Sequence, residues 1–429
     1  MKFRSVVIIL ALAVFQGLGA GQDKSEERLV LFETIWSKVN ETYFDPSFGG
    51  LDWKKVHDGY RPQIAAAKSE PDVHALLNKM LWELKVSHTA YIPRGYFATV
   101  EPTVFAPGGI GLDMRLFDGQ AMVTAVGSES PAQKAGLRRG VLIQAIDGIP
   151  IAQIERDVRR DRPPYNDRGR RAQITKGVLS RIYGAPGTEV GISFMDERGE
   201  KREKKMMRAK RSGAAVGPGG LFFFAVEFEA RRLDDGVGHI RLNTLQPELA
   251  ARIPAAVKSM GGISGLIIDL RGNSGGEIEG MAELFLPDKT FLYIRKARSG
   301  ETKVYSAPAE NVYQGPLVLL IDELSGSASE LFAACLQAAK RAVVVGQRSP
   351  GSVMESDNKI FGNGAVLMYP VAQLSTPDHI VLEGYGVVPD IEIELDRGKL
   401  LEGIDSQLDA ALRYLRDEKR KKPGIPMKK

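Results

Sequence analysis

Three short apolar runs in the second half of the chain constrain its fold more than any other feature. They read GLIIDL, PLVLLID and AVVVG, and patterns typical of helices separate them, at about 277–285 and 327–339. Continuous apolar runs of this length are typical of strands that are covered on both faces, and their alternation with helices is typical of a largely parallel sheet. The sequence therefore predicts an α/β core over residues 221–418, with a closing helix at 404–415.

Two further segments precede this core. Between Glu26 and about Leu84, apolar residues recur at steps of three and four residues, which predicts helices. From about 104 to 210, short β-like runs (MVTAV, LIQAI, EVGISF) alternate with Gly, Pro and Ser turns and one helical stretch near 167–182. We therefore expect a multidomain protein of mixed α+β and α/β class. Its predicted parts are a helical region at 21–103, a β-rich domain at 104–211, the α/β core, and a basic tail at 419–429.

The first twenty residues are typical of an export signal. Lys2 and Arg4 precede an apolar run from Val6 to Phe15, and small residues follow up to Ala20. This run is short for a membrane span, and no other stretch of sequence is long and apolar enough to cross a bilayer. We expect an exported protein, periplasmic or secreted, without stable membrane insertion once the signal is cleaved. If the signal remains as an uncleaved anchor, the domains still face outward.

Composition and charge exclude several classes of protein. With 43% hydrophobic and 26% charged residues, the chain has a globular balance that excludes wholesale disorder. The single cysteine, Cys335, excludes disulfides within one chain and multi-cysteine metal sites, and we expect no cofactor. The net charge is +5, and stretches at 156–171 and 198–211 are rich in Arg and Lys. Acidic residues interleave both stretches, so we expect the solvated faces of a helix and a hairpin and no nucleic-acid partner.

A candidate binding loop lies just before a strand of the β-rich domain. It consists of Gly109, Ile110, Gly111 and Leu112. Glycines on both sides of an apolar residue let successive backbone N–H groups face outward, which suits a carboxylate. Together with the segment 130–148, this loop resembles a PDZ domain of the bacterial protease type, which binds C-terminal tails by strand addition. Val141 stands where that pattern usually has Asp, and the alternative is a β-domain that does not bind tails.

A glycine-rich turn, DLRGNSGG at 269–276, follows the first apolar run of the core. Free backbone N–H groups in such a turn could form one side of an oxyanion hole. A phosphate-binding loop would have a lysine after these glycines, whereas Glu277 follows them here. The alternative is a tight turn that needs glycine only for steric reasons.

Two serines, Ser327 and Ser329, lie where the last long helix of the core is predicted to begin. A serine at this position most often caps the helix, and spacing alone favours that role. The functional alternative is a nucleophile beside a helix N-terminus, which favours developing oxyanion charge. Such a serine needs a base. Among the five histidines, His88 follows a predicted helix in the loop KVSHT, a position that suits a catalytic group.

The order of these segments resembles that of the C-terminal processing, or tail-specific, peptidases and of the related tricorn protease core. The helical region, the Ser-His-Thr loop, the PDZ-like domain, DLRGNSGG, GSASE and a late EGYGVVPD follow one another over nearly the whole mature chain. The resemblance implies a core of the ClpP/crotonase type with Ser327 as nucleophile. It also implies an oxyanion hole formed by Gly275 or Gly276 together with Ala328.

One departure from the family bears on the mechanism. The processing peptidases have a lysine base in a TFGKG-like segment, but Ser352 stands at that position here. We therefore expect no Ser/Lys dyad, although Lys359 could substitute if the loop were rearranged. The tricorn-like branch uses a tetrad instead. The resemblance places that tetrad on Ser327, His88, Ser87 and Glu383. A histidine base predicts activity that falls as the pH drops through roughly 6 to 7.

The resemblance implies an exported serine endopeptidase that cuts unstructured polypeptides or C-terminal tails, with the PDZ-like domain recruiting substrate or gating access. Ala328 stands where tricorn has an acidic residue, so the preference of tricorn for basic side chains is not expected. The alternative is a non-catalytic protein on the same fold that binds tails or apolar ligands. Convergence of His88 and Glu383 on Ser327 would separate the two readings. A metal-dependent hydrolase is disfavoured, because the sequence has no His-Glu-x-x-His motif.

Overall fold

The computed structural model describes most of the chain. The described residues are 19–94, 106–117, 119–161, 166–211, 214–216, 222–224, 226–308 and 313–421. The predicted export signal lies almost entirely outside them, as does most of the basic tail. Within the described part, no helix has the length and apolar character of a membrane span. The chain forms two compact units, one containing the described residues up to Thr42 together with Ser47–Leu84, the other containing Tyr43–Pro46 and the described residues from Lys85 onward.

The first unit is helical, as predicted. Its helices are α1 (Gly19–Thr42), α2 (Trp53–Ala66) and α3 (Glu70–Trp82). The side chains of Asp52 and Ser69 cap α2 and α3 by accepting backbone N–H groups of the first turn. The apolar residues at helical spacing are buried, including Ile35 and Leu77. This burial is the reason why the helical periodicity is visible in the sequence.

The β-rich part of the second unit is an antiparallel sheet with one long helix beside its edge. The chain first forms β1 (Ala90–Ile92), which belongs to a different sheet. The elements of the β-rich part then follow as β2 (Gly108–Gly109), β3 (Leu112–Phe117), β4 (Gln120–Val126), α4 (Pro131–Lys134), β5 (Leu142–Ile146), β6 (Ile149–Pro150), α5 (Ile151–Asp161), α6 (Asp167–Ile182), β7 (Glu189–Met195), β8 (Lys201–Met207) and β9 (Ala209–Lys210). The sheet order is β3-β4-β5-β7-β8. Apolar residues of α6 and of β3 belong to one buried cluster. The strands predicted from MVTAV, LIQAI and EVGISF, and the predicted helix, are confirmed.

The remaining elements build the α/β core and a second sheet. They are β10 (Ala214–Val216), β11 (Phe222–Phe224), β12 (Phe228–Arg232), β13 (Val237–Leu242), α7 (Pro247–Ala250), α8 (Ile253–Ser259), β14 (Gly265–Asp269), β15 (Phe291–Ala297), β16 (Gly300–Tyr305), β17 (Leu317–Ile321), α9 (Ala328–Ala338), β18 (Val343–Gly346), β19 (Glu355–Ile360), β20 (Val366–Ser375), β21 (Ile391–Glu392), α10 (Arg397–Leu401) and α11 (Ser406–Lys421).

The core sheet has the order β12-β13-β14-β17-β18-β21, and every neighbouring pair except β12 with β13 is parallel. Strands β14 and β17 are buried along their whole length. Successive side chains of β17 point to opposite faces: Leu319 packs in the cluster that includes α9, and Leu320 in the cluster that includes α11. Both faces are thus covered, which explains the continuous apolar runs and confirms the predicted α/β core.

The prediction of a helix at 277–285 is wrong. Only the 3-10 helix Ala282–Leu284 forms there. Gly280 has a φ of 78°, in the left-handed region, which is incompatible with a continuous α-helix. Met281 and Phe285 are nevertheless buried in the core. The apolar residues at helical spacing therefore arise from the burial of an irregular segment.

A second sheet, in the order β1-β20-β15-β16 with β19 beside β20, carries the chain that follows the Ser-His loop. Strand β1 pairs antiparallel with β20, and Tyr91 lies opposite Leu367. This pairing fixes the chain just after His88 to a strand that lies far away in sequence. The loop is thereby held in place within the second unit.

A buried ion pair links the edge strand β3 to the core. The Nε of Arg115 donates to Asp322 Oδ2 at 2.6 Å, and its Nη1 donates to Asp113 Oδ1 at 2.7 Å. Asp322 Oδ1 in turn accepts the backbone N–H groups of Gly272 and Leu324, at 3.0 and 2.9 Å. Asp322 therefore holds the glycine-rich turn and the turn that precedes Ser327.

Replacing Arg115 with alanine is expected to destabilise the protein strongly. The substitution leaves Asp322, which is 2% exposed, without its cation, and breaking a buried pair in this way costs about 3–5 kcal/mol. Urea unfolding curves of the wild type and the variant measure this loss. Arg138→Ala is the control, because Arg138 pairs with Glu197 at the surface, where a pair contributes about 1 kcal/mol or less. Equal losses for the two variants would contradict the role given to Arg115.

Candidate active site

Ser327 occupies the turn between β17 and α9, at the N-cap position of the helix. Its φ is 56°, an unfavourable value for a residue with a side chain, and such strain concentrates at functional sites. Its hydroxyl lies 3.1 Å from Nε2 of His88. Ser329, the other serine of the motif, is fully buried and its hydroxyl donates to Asn273 Oδ1 at 2.6 Å. Of the two serines, only Ser327 faces a base.

The four residues of the predicted tetrad lie in one hydrogen-bonded chain. His88 Nδ1 is 2.7 Å from Ser87 Oγ, and Ser87 Oγ is 2.9 Å from Glu383 Oε2. The backbone N–H of Ser87 donates to Glu383 Oε1 at 2.6 Å, across 296 positions of sequence. The structure thus brings Ser327, His88, Ser87 and Glu383 together.

The carboxylate of Glu383, at one end of this hydrogen-bonded chain, determines which group donates in each hydrogen bond. A carboxylate can only accept, so the hydroxyl of Ser87 donates to Glu383. Ser87 Oγ then accepts from His88, which places the ring proton on Nδ1 and leaves Nε2 as an acceptor for the hydroxyl of Ser327. Neutral His88 is therefore in the tautomer that a general base requires.

Burial changes the acid–base properties of His88 and Glu383. Loss of hydration, together with the positive charge of Lys176 on α6, lowers the pKa of His88 to about 4. This corrects the expectation that the histidine titrates between pH 6 and 7. Burial also raises the pKa of Glu383, against the opposing effect of the N–H groups of Ser87 and Val353. The imidazole is consequently neutral at physiological pH.

Removing the charge of Lys176 is expected to raise the pKa of His88, because Lys176 disfavours the imidazolium form. The variant Lys176→Met keeps the apolar stem of the side chain, and NMR titration of the His88 ring nitrogens measures the shift. Lys204→Met is a suitable control, since Lys204 is exposed on β8 and is not among the causes of the lowered pKa. A pKa that is unchanged or lower in Lys176→Met would contradict the prediction.

The glycine-rich turn lies directly against the nucleophile. A Cβ on Gly275 would lie 2.6 Å from Cβ of Ser327 and 2.9 Å from the backbone nitrogen of Ala328, so only glycine fits. The N–H of Gly275 already donates to Asn273 Oδ1 at 2.9 Å. The N–H groups of Gly276 and Ala328 have no acceptor among the residues that the structure describes. Gly276 and Ala328 are thus better candidates for an oxyanion hole than Gly275.

Other predicted residues lie outside the tetrad. The candidate loop 109–112 leads into the edge strand β3; Ile110 and Leu112 are buried, and the carbonyl of Gly111 accepts the N–H of Gly127 at 2.9 Å. Lys359 lies on β19, with Nζ 5.7 Å from the ring centroid of Phe361. The structure therefore gives Ser327 a histidine neighbour and places Lys359 elsewhere.

Glu330 is a feature of the site that the sequence analysis missed. It lies in the first turn of α9 and is completely buried, although α9 is otherwise apolar there. The available signals were an acidic residue inside such an apolar helix and the Ser-x-x-Glu spacing of a capping box at 327–330. Among the described residues, no group of three or more His, Cys, Asp and Glu side chains could hold a metal ion.

Comparison with known proteins agrees with this geometry. Residues 236–393 match the sequence pattern of peptidase family S41, and residues 24–82 match the Tricorn protease C1 domain. The chain is therefore similar to peptidase family S41 over this core region. Its predicted enzyme class, a serine-type peptidase acting on polypeptides, is confirmed, as is the predicted resemblance to the processing peptidases and tricorn.

The similarity to relatives and solved structures extends over most of the length of this chain. The carboxyl-terminal-processing protease of Synechocystis sp. is 27% identical over 406 residues, which cover 91% of this chain and 87% of that protein. The photosystem II D1 C-terminal processing protease has a TM-score of 0.55 at 22% identity, covering 86% of this chain and 95% of the other. Tricorn protease has a TM-score of 0.52 at 21% identity, covering 92% of this chain but only 37% of tricorn. These structures support the predicted mixed α/β multidomain fold.

Proposed function

We propose that this protein is an exported serine endopeptidase that cleaves unstructured polypeptides or C-terminal tails with the tetrad Ser327, His88, Ser87 and Glu383. The observation that carries the proposal is the unbroken hydrogen-bond chain from the hydroxyl of Ser327 to the carboxylate of Glu383. Export is inferred from the first twenty residues alone. No cofactor enters the mechanism.

In the acylation step, Nε2 of His88 takes the proton of Ser327 as Oγ attacks the carbonyl carbon of the scissile peptide. The resulting oxyanion accepts hydrogen bonds from the N–H groups of Gly276 and Ala328, at the positively polarised N-terminus of α9. The imidazolium then gives its Nε2 proton to the leaving amine. A water molecule repeats these steps on the acyl-enzyme and regenerates Ser327.

Ser87 and Glu383 act on the imidazolium. As Nε2 gains a proton, the Nδ1–H bond to Ser87 strengthens, and the carboxylate behind Ser87 stabilises the positive charge. This contribution matters here because burial disfavours the charged ring. Ser87 transmits the effect of Glu383 without itself losing a proton.

The PDZ-like region is proposed to recruit tails at the loop 109–112 or to gate access to the site. Its edge strand β3 is the place where an added strand would pair. The backbone N–H and carbonyl of Met114 are, however, already bonded to the side chains of Asp113 and Arg115. A tail that pairs with this part of β3 would have to replace those two contacts.

A non-catalytic role was the alternative, and its main argument was the missing lysine. His88 supplies a base for Ser327 without that lysine, so we favour catalysis. Cleavage of unfolded casein by the protein starting at Gly21, followed by mass spectrometry of the products, tests the proposal. We expect the wild type and Lys359→Ala to cleave, and His88→Ala to be inactive. Binding of tail peptides without any cleavage would support the non-catalytic alternative.

A further inference from the structure

Glu330 is a buried carboxylate that the proposed reaction does not use. Its Oε1 accepts the hydroxyl of Ser349 at 2.6 Å and the N–H of Gly351 at 2.7 Å. Its Oε2 accepts the N–H of Ser352 at 2.8 Å and the N–H of Ser327 at 3.2 Å. All four partners are donors, so an ionised carboxylate matches the site.

The loop 349–353, which Glu330 holds, connects the parts of the active site. The carbonyl of Ser352 accepts the N–H of Ser327 at 2.9 Å, and the N–H of Val353 donates to Glu383 Oε2 at 2.8 Å. The carbonyl of Gly351 accepts the N–H of Gly384 at 2.8 Å. One loop therefore contacts the backbone of the nucleophile, the carboxylate of Glu383 and the backbone of the next residue, Gly384. It is also the loop in which Ser352 replaces the lysine of the processing peptidases.

Close packing makes this loop sensitive to its anchor. Gly351 has a φ of 75°, and a Cβ there would lie 2.8 Å from backbone atoms of Gly384, Tyr385 and Gly386. Ser349 is completely buried, and its hydroxyl also accepts the N–H of Val387 at 2.7 Å. Few alternative conformations are open to a segment packed in this way, so its position depends on the acceptors that Glu330 provides.

We propose that Glu330 is a positioning residue whose ionised carboxylate sets the backbone of Ser327 and of the loop 349–353, so that Ser327 and Glu383 both reach the Ser87–His88 pair. The inference rests on the proposed function. Glu330 touches neither substrate nor the reacting atoms and acts through the backbone of its neighbours. This role goes beyond the capping-box contact with the N–H of Ser327, which the Ser-x-x-Glu spacing at 327–330 indicates.

The charge state of Glu330 links this role to pH. Burial raises the pKa of Glu330 to about 7, and the nearby charge of Glu383 acts in the same direction. Other titratable or charged groups on the surrounding described segments include His88, whose pKa is about 4, and Arg348, whose guanidinium lies over the ring of Tyr385. Arg168 on α6 donates to the carbonyls of Gly384 and Tyr385, and Tyr43 lies within the field of Glu383, which helps to raise the pKa of Tyr43. As the pH falls through about 7, Glu330 gains a proton while His88 stays neutral. The fall in activity on the acid side of the pH profile, called the acid limb below, is therefore expected to follow the protonation of Glu330.

The decisive variant is Glu330→Gln, because an amide places an NH₂ group against N–H donors on one side of the site. We expect kcat to fall on the order of 100-fold with little change in KM, and the acid limb near pH 7 to disappear. Glu330→Asp keeps the charge. It is expected to retain the acid limb, with a kcat between those of the wild type and Glu330→Gln. Glu323→Gln is the matched control. Glu323 is also buried with a pKa raised to about 7, but it bonds Thr175 and not the loop.

The outcomes separate this inference from the proposed function. If the wild type cleaves nothing, the proposed function fails and the inference fails with it. If the wild type cleaves in a His88-dependent way and Glu330→Gln has the same kcat and acid limb, the inference alone is overturned. If Glu330→Gln does not fold, the acid limb of Glu323→Gln decides: a limb that remains near pH 7 supports Glu330, and one that vanishes overturns the inference.

Discussion

Ser327→Ala is expected to abolish peptide-bond cleavage, with kcat reduced on the order of 10⁵- to 10⁶-fold. Alanine removes the only hydroxyl that lies within hydrogen-bonding distance of His88 Nε2 among the described residues. Without it no acyl-enzyme forms, and only the slow direct attack of water remains. Initial rates on a fluorogenic unstructured peptide measure the loss.

Ser329→Ala is the matched control for this prediction. Ser329 lies two residues further along the same helix start, but its hydroxyl is committed to Asn273. Losing one buried hydrogen bond is expected to cost about 1–3 kcal/mol of stability and to leave kcat within about tenfold of the wild type, since no reacting group is removed. Equal inactivation of the two variants would contradict the assignment of Ser327 as nucleophile.

Glu383→Gln is expected to reduce kcat by on the order of 10³- to 10⁴-fold. Glu383 accepts from the N–H and the hydroxyl of Ser87 and from the N–H of Val353. An amide NH₂ directed at Ser87 forces that hydroxyl to donate to His88 Nδ1 instead. The ring proton then moves to Nε2, and His88 can no longer accept the proton of Ser327.

Two readouts test the Glu383 prediction. Steady-state kinetics measure the loss in kcat, and ¹⁵N NMR of the imidazole reports the tautomer, which is expected to change from Nδ1–H to Nε2–H. Glu355→Gln is the control, since Glu355 pairs with Arg295 on the second sheet, and its kcat is expected to stay near that of the wild type. A Glu383→Gln variant with nearly full activity and an unchanged tautomer would rule out the relay through Ser87.

Elements with a regular pattern could be predicted from the sequence. Strands β14 and β17 have apolar side chains on both faces because both faces are covered, so their runs are continuous. The closing helix α11 was predicted from one stripe, and Ala411 and Leu415 are indeed buried against the sheet. Residues 277–285 were mispredicted because Gly280 interrupts a spacing that burial alone produces.

The site was predictable only as far as residue identities matched a known family. Ser87 and Glu383 meet across 296 positions because β1 pairs with β20, and no local pattern indicates that pairing. The lowered pKa of His88 depends on its burial, which spacing does not encode. Glu330 was missed for the same reason, since three of its four donors come from the loop 349–353, and only the N–H of Ser327 lies within a local capping-box spacing. Long-range packing, rather than propensity, decides each of these features.

The central claim is that Ser327 is activated by His88 and not by a lysine. Labelling with a fluorophosphonate, followed by peptide mass spectrometry, tests it most directly, because the reagent modifies only a serine that a base has activated. We expect the label on Ser327 at equal rates in the wild type and in Lys359→Ala, and almost none in His88→Ala. Undiminished labelling in His88→Ala, or labelling that is lost in Lys359→Ala, would contradict the account.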